Sequence, residues 1–387
     1  MYPKLYLAID NCFASKRWTE PAEWADVIRD LGLSYVECSA DTECDPLYMG
    51  DAYLKRWVQK VRAAQEHTGV HPANLYSGHG TYATLGLAHT DPEVRSRFLH
   101  DWLEKMVDTA VAVDAGLGFF CHAFSDSVLQ DPQRYASFYE QLLDDLGALA
   151  AYGKQRGAKP IGLEQMYSPH QVPWTIDGAE ELVREIYRRA GAPMYLTVDV
   201  GHQTGQRKFL RPNHEEILQI LARHDQGDFQ PNLWLGPNSA LELMEQTDRS
   251  IEDRAAAIEA EMDRYPYLFA QYEDGDPYAW LRRLAGYSPI IHLQQTDGAT
   301  SGHWPFTAEK NQAGCIHAPD VLKSIAECYR TPQADGMPPF VDKIYLTLEI
   351  FTGTSAINRN QLHLLKESIA YWRQYIPEDG LSLDKLL

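Results

Sequence analysis

The 387-residue chain is short of positive charge, of long apolar runs and of paired cysteines. Lys and Arg total 35 against 54 Asp and Glu, a formal net charge of −19. A surface of that sign repels phosphate backbones and anionic headgroups, so neither nucleic acid nor a membrane is expected as a partner. No apolar run approaches the ~20 residues that a membrane-spanning helix needs. Cys12, Cys38, Cys44, Cys121, Cys315 and Cys328 include no C-x-x-C pair. Cys12, Cys38 and Cys121 sit in or beside β-type runs, which reads as buried thiols in a reducing compartment rather than a disulfide framework. The chain enters a β-type run, KLYLAID, almost at once, without the regions of a secretory leader, and a cytoplasmic location is expected. That run leads into Asp10-Asn11-Cys12-Phe13 rather than a glycine-rich phosphate loop, which argues against a doubly wound dinucleotide-binding sheet.

What the chain does have is alternation. Short apolar, β-rich runs at 5–10, 35–39, 74–77, 118–122, 161–165, 195–200, 290–294 and 344–350 are separated by amphipathic helical stretches. Helix signals stand where they belong. Pro21 opens a helix stopped by Gly32, Asp91-Pro92 opens one that runs to 113, and Asp177-Gly178 opens AEELVREIYRRAG. Eight strand–helix repeats predict an α/β fold, a (β/α)8 TIM barrel. Residues 1–375 are expected to form one catalytic domain, with 376–387 as a C-terminal tail. One interval breaks the rhythm: 93 residues separate Asp199 from His292, against 35 between Glu164 and Asp199. Residues 203–286 therefore include an inserted helical subregion between strands six and seven. It is expected to be a lid, an oligomer contact or a plain surface extension. A homo-oligomer is expected because most soluble oligomers are symmetric assemblies of one chain.

Four runs carry the chemistry: IGLEQ, LTVDVGH, IIHLQQTDG and LTLEI. Each places a metal-capable side chain at or near its C-terminal end, namely Glu164, Asp199, His292 and Glu349. A carboxylate inside an apolar strand needs something that satisfies its charge. In a barrel the C-terminal strand ends converge on one face, so the four are expected to share one cation. Two Glu, one Asp and one His suit Mn²⁺ or Mg²⁺, with Co²⁺ or Zn²⁺ admitted by the imidazole. Such a set leaves about two octahedral positions for substrate oxygens. Trp174 lies on the loop after the Glu164 strand and is the aromatic best placed to face a ligand. Arg207, Lys208 and Arg211 form a short basic segment that would meet an anionic group or stay solvated.

The order of these pieces resembles the xylose-isomerase-like superfamily of barrels, in particular its sugar isomerases and ketose 3-epimerases. The matching pieces are Glu164 ending strand five, Asp199-x-x-His202 ending strand six, His292 with Asp297 on strand seven, and Glu349 ending strand eight. The resemblance implies that Glu164, Asp199, His292 and Glu349 bind one divalent ion. It implies that Glu164 and Glu349 act as the acid–base pair in proton transfer through a cis-enediolate. His202 would hold a substrate oxygen, and His79, His122, Trp174, Asp297 and His303 would contact a sugar or sugar phosphate. Asp297 is followed by Gly298, where the epimerases commonly carry a substrate-contacting Arg. A lyase or decarboxylase of an oxidised sugar is the alternative on the same site. A sugar-binding barrel without catalysis, or an enzyme of the endonuclease-IV-like branch, is more remote. The latter branch adds a D-x-H pair after the strand-seven His, and only Ser301-Gly302-His303 lies there.

Overall fold

The computed structural model describes residues 2–78, 83–353 and 355–387. Eight strands pair parallel in sequence order: β1 (Lys4–Asp10), β2 (Tyr35–Ser39), β3 (His71–Tyr76), β4 (Gly116–Phe119), β5 (Ile161–Glu164), β6 (Tyr195–Asp199), β7 (Ile290–Leu293) and β8 (Lys343–Leu348). β8 pairs with β1 over Lys4↔Lys343 to Ile9↔Leu348, and β1 pairs with β2, so the sheet closes on itself. This is the expected TIM barrel. Closure leaves no strand edge within the ring of eight.

Outer helices cover the barrel with one apolar stripe each. In the helix Ile176–Ala190, Ile176, Ala179, Leu182, Val183 and Ile186 are buried, the spacing of one face of a 3.6-residue helix. Thr175 caps its first turn by accepting from the Gly178 amide, and Gly191, at φ 57°, ends it in the left-handed region. Each fully buried Leu or Ile contributes about 1.5–3 kcal/mol, and Leu182→Ala would cost about 2–5 kcal/mol.

Glycine and polar side chains share part of the barrel interior. A Cβ on Gly118 of β4 would lie 2.8 Å from Asn74 Nδ2, 3.3 Å from Tyr76 Cδ2 and 3.5 Å from Thr197 Oγ1. Side chains from β3 and β6 thus reach across the space that a larger residue at 118 would fill.

The long interval after β6 holds the helices His214–Asp225, Asn238–Met244 and Ile251–Met262 before the crossover helix Pro277–Leu284. It packs outward. Tyr267 stacks on Tyr135 of the helix Pro132–Arg156 at 3.8 Å, and Phe209 meets Trp174 and Trp234 edge to face. Arg254, 1% exposed, is held by Asp225 at 3.0 Å. The last residues are docked rather than trailing. A short strand, β9 (Leu381–Ser382), pairs antiparallel with the start of β1, and Leu383 is fully buried.

Candidate active site

β5 and β6 deliver Glu164 and Asp199 as their last residues, and β7 delivers His292 as its third. Glu349 lies one residue beyond β8, but its amide still bonds to Leu293 O at 3.0 Å, which keeps it in the ladder. The four side chains meet as the sequence predicts. His292 Nδ1 stands 3.2 Å from Glu164 Oε1, 3.5 Å from Glu349 Oε2 and 4.0 Å from Asp199 Oδ2. His202 joins them, its Nε2 lying 3.7 Å from Asp199 Oδ2. All five are buried.

Hydrogen bonding fixes the direction of both rings. His202 Nδ1 lies 2.7 Å from the Gln165 carbonyl, which only accepts, so Nδ1 donates and Nε2 faces the cluster. His292 Nε2 donates to Glu37 Oε2 at 2.8 Å and leaves Nδ1 facing three carboxylates. Such a carboxylate behind an imidazole sets its tautomer for metal binding. Burial alone would lower the His292 pKa, but the Glu37, Glu349 and Glu164 carboxylates hold it well above the ordinary value. Burial works against ionised Asp199 too, and His202, His303 and His292 more than offset it, leaving its pKa well below the usual carboxylate range. Glu164 is likewise lowered, chiefly by His292 against its own burial.

The donor set fits a divalent cation. With bonds of about 2.1 Å, adjacent ligands of an octahedral ion lie about 3 Å apart and opposed ones about 4.2 Å. The observed separations span that range, and two groupings, Glu164–Asp199–His202 and Asp199–His292–Glu349, each bring their donor atoms within 4.8 Å of one another. Among the described residues, the counter-charges nearest to these carboxylates are imidazoles. Buried carboxylates in such numbers are costly without a further cation.

A cavity of about 190 Å³ opens over the cluster. Glu164, Glu349, His202, His122 and His303 line it together with Tyr76, Phe120, Met166, Tyr167, Gln171 and Phe351. His303 stacks on Phe351 at 3.9 Å and places Nδ1 3.5 Å from Glu349 Oε2. His122 packs on Phe120 and has the Gln171 amide 3.3 Å from its ring nitrogen. Burial, only partly opposed by Glu164, lowers the His122 pKa to about 4, so the ring is neutral near pH 7.

Two of the sequence-predicted contact residues lie away from the cavity. Asp297 is exposed, and its carboxylate accepts from the Ala299 and Thr300 amides at 2.9 and 3.2 Å. It shapes a turn that Gly298 completes at φ 77°, and it does not line the cavity. Trp174 is buried against Phe209, outside the cavity, because the inserted segment covers it. Among the described residues, none of 203–286 lines the cavity. His79 lies outside the described residues.

The sequence reading missed Glu37, Tyr76 and Gln294. Gln294 Nε2 donates to both Asp199 oxygens, at 2.8 and 3.0 Å. Glu37 carried a usable signal, a carboxylate in the middle of the strand YVECS.

The chain is a closed βα barrel with a buried carboxylate–imidazole cluster at its C-terminal strand ends, a set of side chains that could hold a metal ion. Residues 25–232, more than half of the chain, match the family model described as xylose isomerase-like TIM barrel. The chain belongs to that family. It is 33% identical over 117 residues to a D-erythrulose 1-phosphate 3-epimerase of Brucella abortus, covering 30% of this chain. The matched part spans 34%, about a third, of that curated relative's length. Its fold is similar to that of a putative xylose isomerase from Rhodospirillum rubrum, with TM-score 0.67 at 20% identity over 96% of this chain and 99% of the other. An L-ribulose 3-epimerase superposes with TM-score 0.55 at 12% identity over 99% and 95% of the two chains. A D-psicose 3-epimerase from Clostridium cellulolyticum gives 0.54 at 10% identity over 96% and 98%. Among the described residues, no helix is long and apolar enough to cross a membrane.

Proposed function

We propose that this protein is a divalent-cation-dependent isomerase or epimerase of a sugar or sugar phosphate. The observation that carries the reading is the position of Glu164 and Glu349. Both line the cavity, both border the same cation-binding cluster, and they come from strands β5 and β8, separated around the barrel by β6 and β7. The 3-epimerase activity named for the Brucella relative supports the same class of chemistry.

Glu164, Asp199, His292 and Glu349 would hold the ion, with His202 Nε2 beside them, and Mn²⁺ is the preferred candidate over Mg²⁺, Co²⁺ or Zn²⁺. A divalent ion there supplies electrophilic pull on a carbonyl oxygen and so acidifies the neighbouring C–H. The chain's own groups do the rest. One of Glu164 and Glu349 removes the proton from carbon, and the other returns one, from the opposite face where the outcome is epimerisation. Neutral His122, together with His202, bonds substrate hydroxyls, and His303 covers Glu349. Phe120, Met166, Tyr167 and Phe351 offer apolar surface to sugar C–H groups.

The test is a panel of ketoses, aldoses and their phosphates incubated with Mn²⁺-loaded protein in D₂O and followed by NMR. Deuterium is expected at the carbon whose configuration or oxidation level changes. Glu349→Gln is expected to lower kcat by about 10²–10⁴-fold while the circular dichroism spectrum is unchanged. Conversion without solvent deuterium would overturn the proton-transfer reading, and release of CO₂ or a shortened product would replace it with the lyase alternative.

A further inference from the structure

We propose that Tyr76 is a positioning residue for Glu164, its hydroxyl pinning one carboxylate oxygen so that the other is turned into the cation cluster. The inference rests on the cation-binding reading above.

Tyr76 is the last residue of β3, two strands from Glu164 on β5. Its ring reaches across because the intervening strand carries Gly118, where a Cβ would come within 3.3 Å of Tyr76 Cδ2. The ring stands edge-on to His292, with centroids 5.1 Å apart and planes at 85°, and edge-on to Phe120 at 6.2 Å. Wedged there, the phenol donates a hydrogen bond to Glu164 Oε2. The partner oxygen, Oε1, is the one 3.2 Å from His292 Nδ1 and 4.0 Å from His202 Nδ1. The two oxygens of this glutamate therefore have separate duties.

The last torsion of a glutamate is broad and nearly two-fold. Unrestrained, the carboxyl plane rotates easily and Oε1 leaves the cluster. A buried phenol fixed by two aromatic neighbours removes that freedom at no entropic cost when the ion binds. Hydrogen-bond partners of this kind, one step behind the ligands, typically change metal affinity or activity by about 10–100-fold when removed.

Tyr76→Phe keeps the ring and deletes only the hydroxyl. Mn²⁺ affinity, measured without substrate by calorimetry or by the EPR signal of free Mn²⁺, is expected to weaken about 10–100-fold. At saturating Mn²⁺, kcat should fall while KM stays within about threefold, the pattern of an interaction expressed in the transition state. A double-mutant cycle separates positioning from general damage. If Tyr76 acts through Glu164, Tyr76→Phe adds no further loss of Mn²⁺ affinity in a Glu164→Gln background. Additive losses, or wild-type affinity in Tyr76→Phe, would overturn the proposal. Absence of Mn²⁺ binding by the wild-type protein would instead remove the cation site itself.

Discussion

Replacing Glu37 by Gln tests whether the carboxylate behind His292 orients the ring for an ion. Glu37 and His292 are both fully buried, and their bond is 2.8 Å long. The other oxygen, Oε1, accepts from Asn74 Nδ2 at 2.6 Å. Gln has the same shape but one acceptor and one donor in place of two acceptors. If its carbonyl faces His292, its NH₂ confronts the Asn74 NH₂ and a buried donor pair results. If its NH₂ faces His292, Nε2 must become the acceptor and the ring proton moves to Nδ1, the atom aimed at Glu164, Asp199 and Glu349. Either arrangement sacrifices one buried hydrogen bond, about 1–3 kcal/mol. The second also removes the lone pair that would bind the ion. Mn²⁺ affinity should therefore fall about 5- to 150-fold. Isothermal titration calorimetry on wild type and Glu37→Gln measures it directly. A dissociation constant within twofold of wild type would show that Glu37 is a structural charge and that the ring needs no orientation from behind.

Asp297→Ala should leave kcat/KM within about twofold, since the carboxylate is exposed and accepts from the turn amides of residues 299 and 300. A tenfold loss would return Asp297 to the substrate site. Glu43 gives a separate pH signature. It accepts from Asn11, Trp24 and Trp57, yet burial outweighs these bonds and raises its pKa to about 7 from an ordinary 4.5. The folded protein thus holds a proton there that the unfolded chain has lost. This group's contribution is greatest below about pH 4.5, falls as pH rises toward 7 and then levels off, a change of about 3 kcal/mol. Chemical denaturation of wild type and Glu43→Gln at pH 5 and pH 8 should show wild type relatively more stable at the lower pH. A difference between the two proteins that does not move with pH would contradict the argument.

The carboxylate–imidazole cluster was legible because its carboxylates each break a local rule. Glu164, Asp199 and Glu349 are charges in apolar strands, and a charge that folding must bury is visible from its neighbours in sequence. The period-two runs and capped amphipathic helices likewise fix eight strand–helix repeats, and parallel strands joined by helices close into a barrel with their C-terminal ends on one face. Spacing along the chain was a poorer guide in the loops. Asp297 and Trp174 follow site strands closely, but the backbone amides of one turn occupy the first, and the packing of the inserted segment buries the second.

By itself, then, the sequence determines the repeat, the face of the barrel that carries the buried charges and the four side chains that meet there, because these follow from local periodicity and from the cost of burying charge. Only the tertiary structure decides which groups stand behind that first set. Glu37 reaches His292 from β2, Tyr76 reaches Glu164 past Gly118, and the insertion turns away from the cavity. Those pairings join residues as many as 255 positions apart, and they exist only because closure of the sheet brings non-neighbouring strands face to face across a narrow interior.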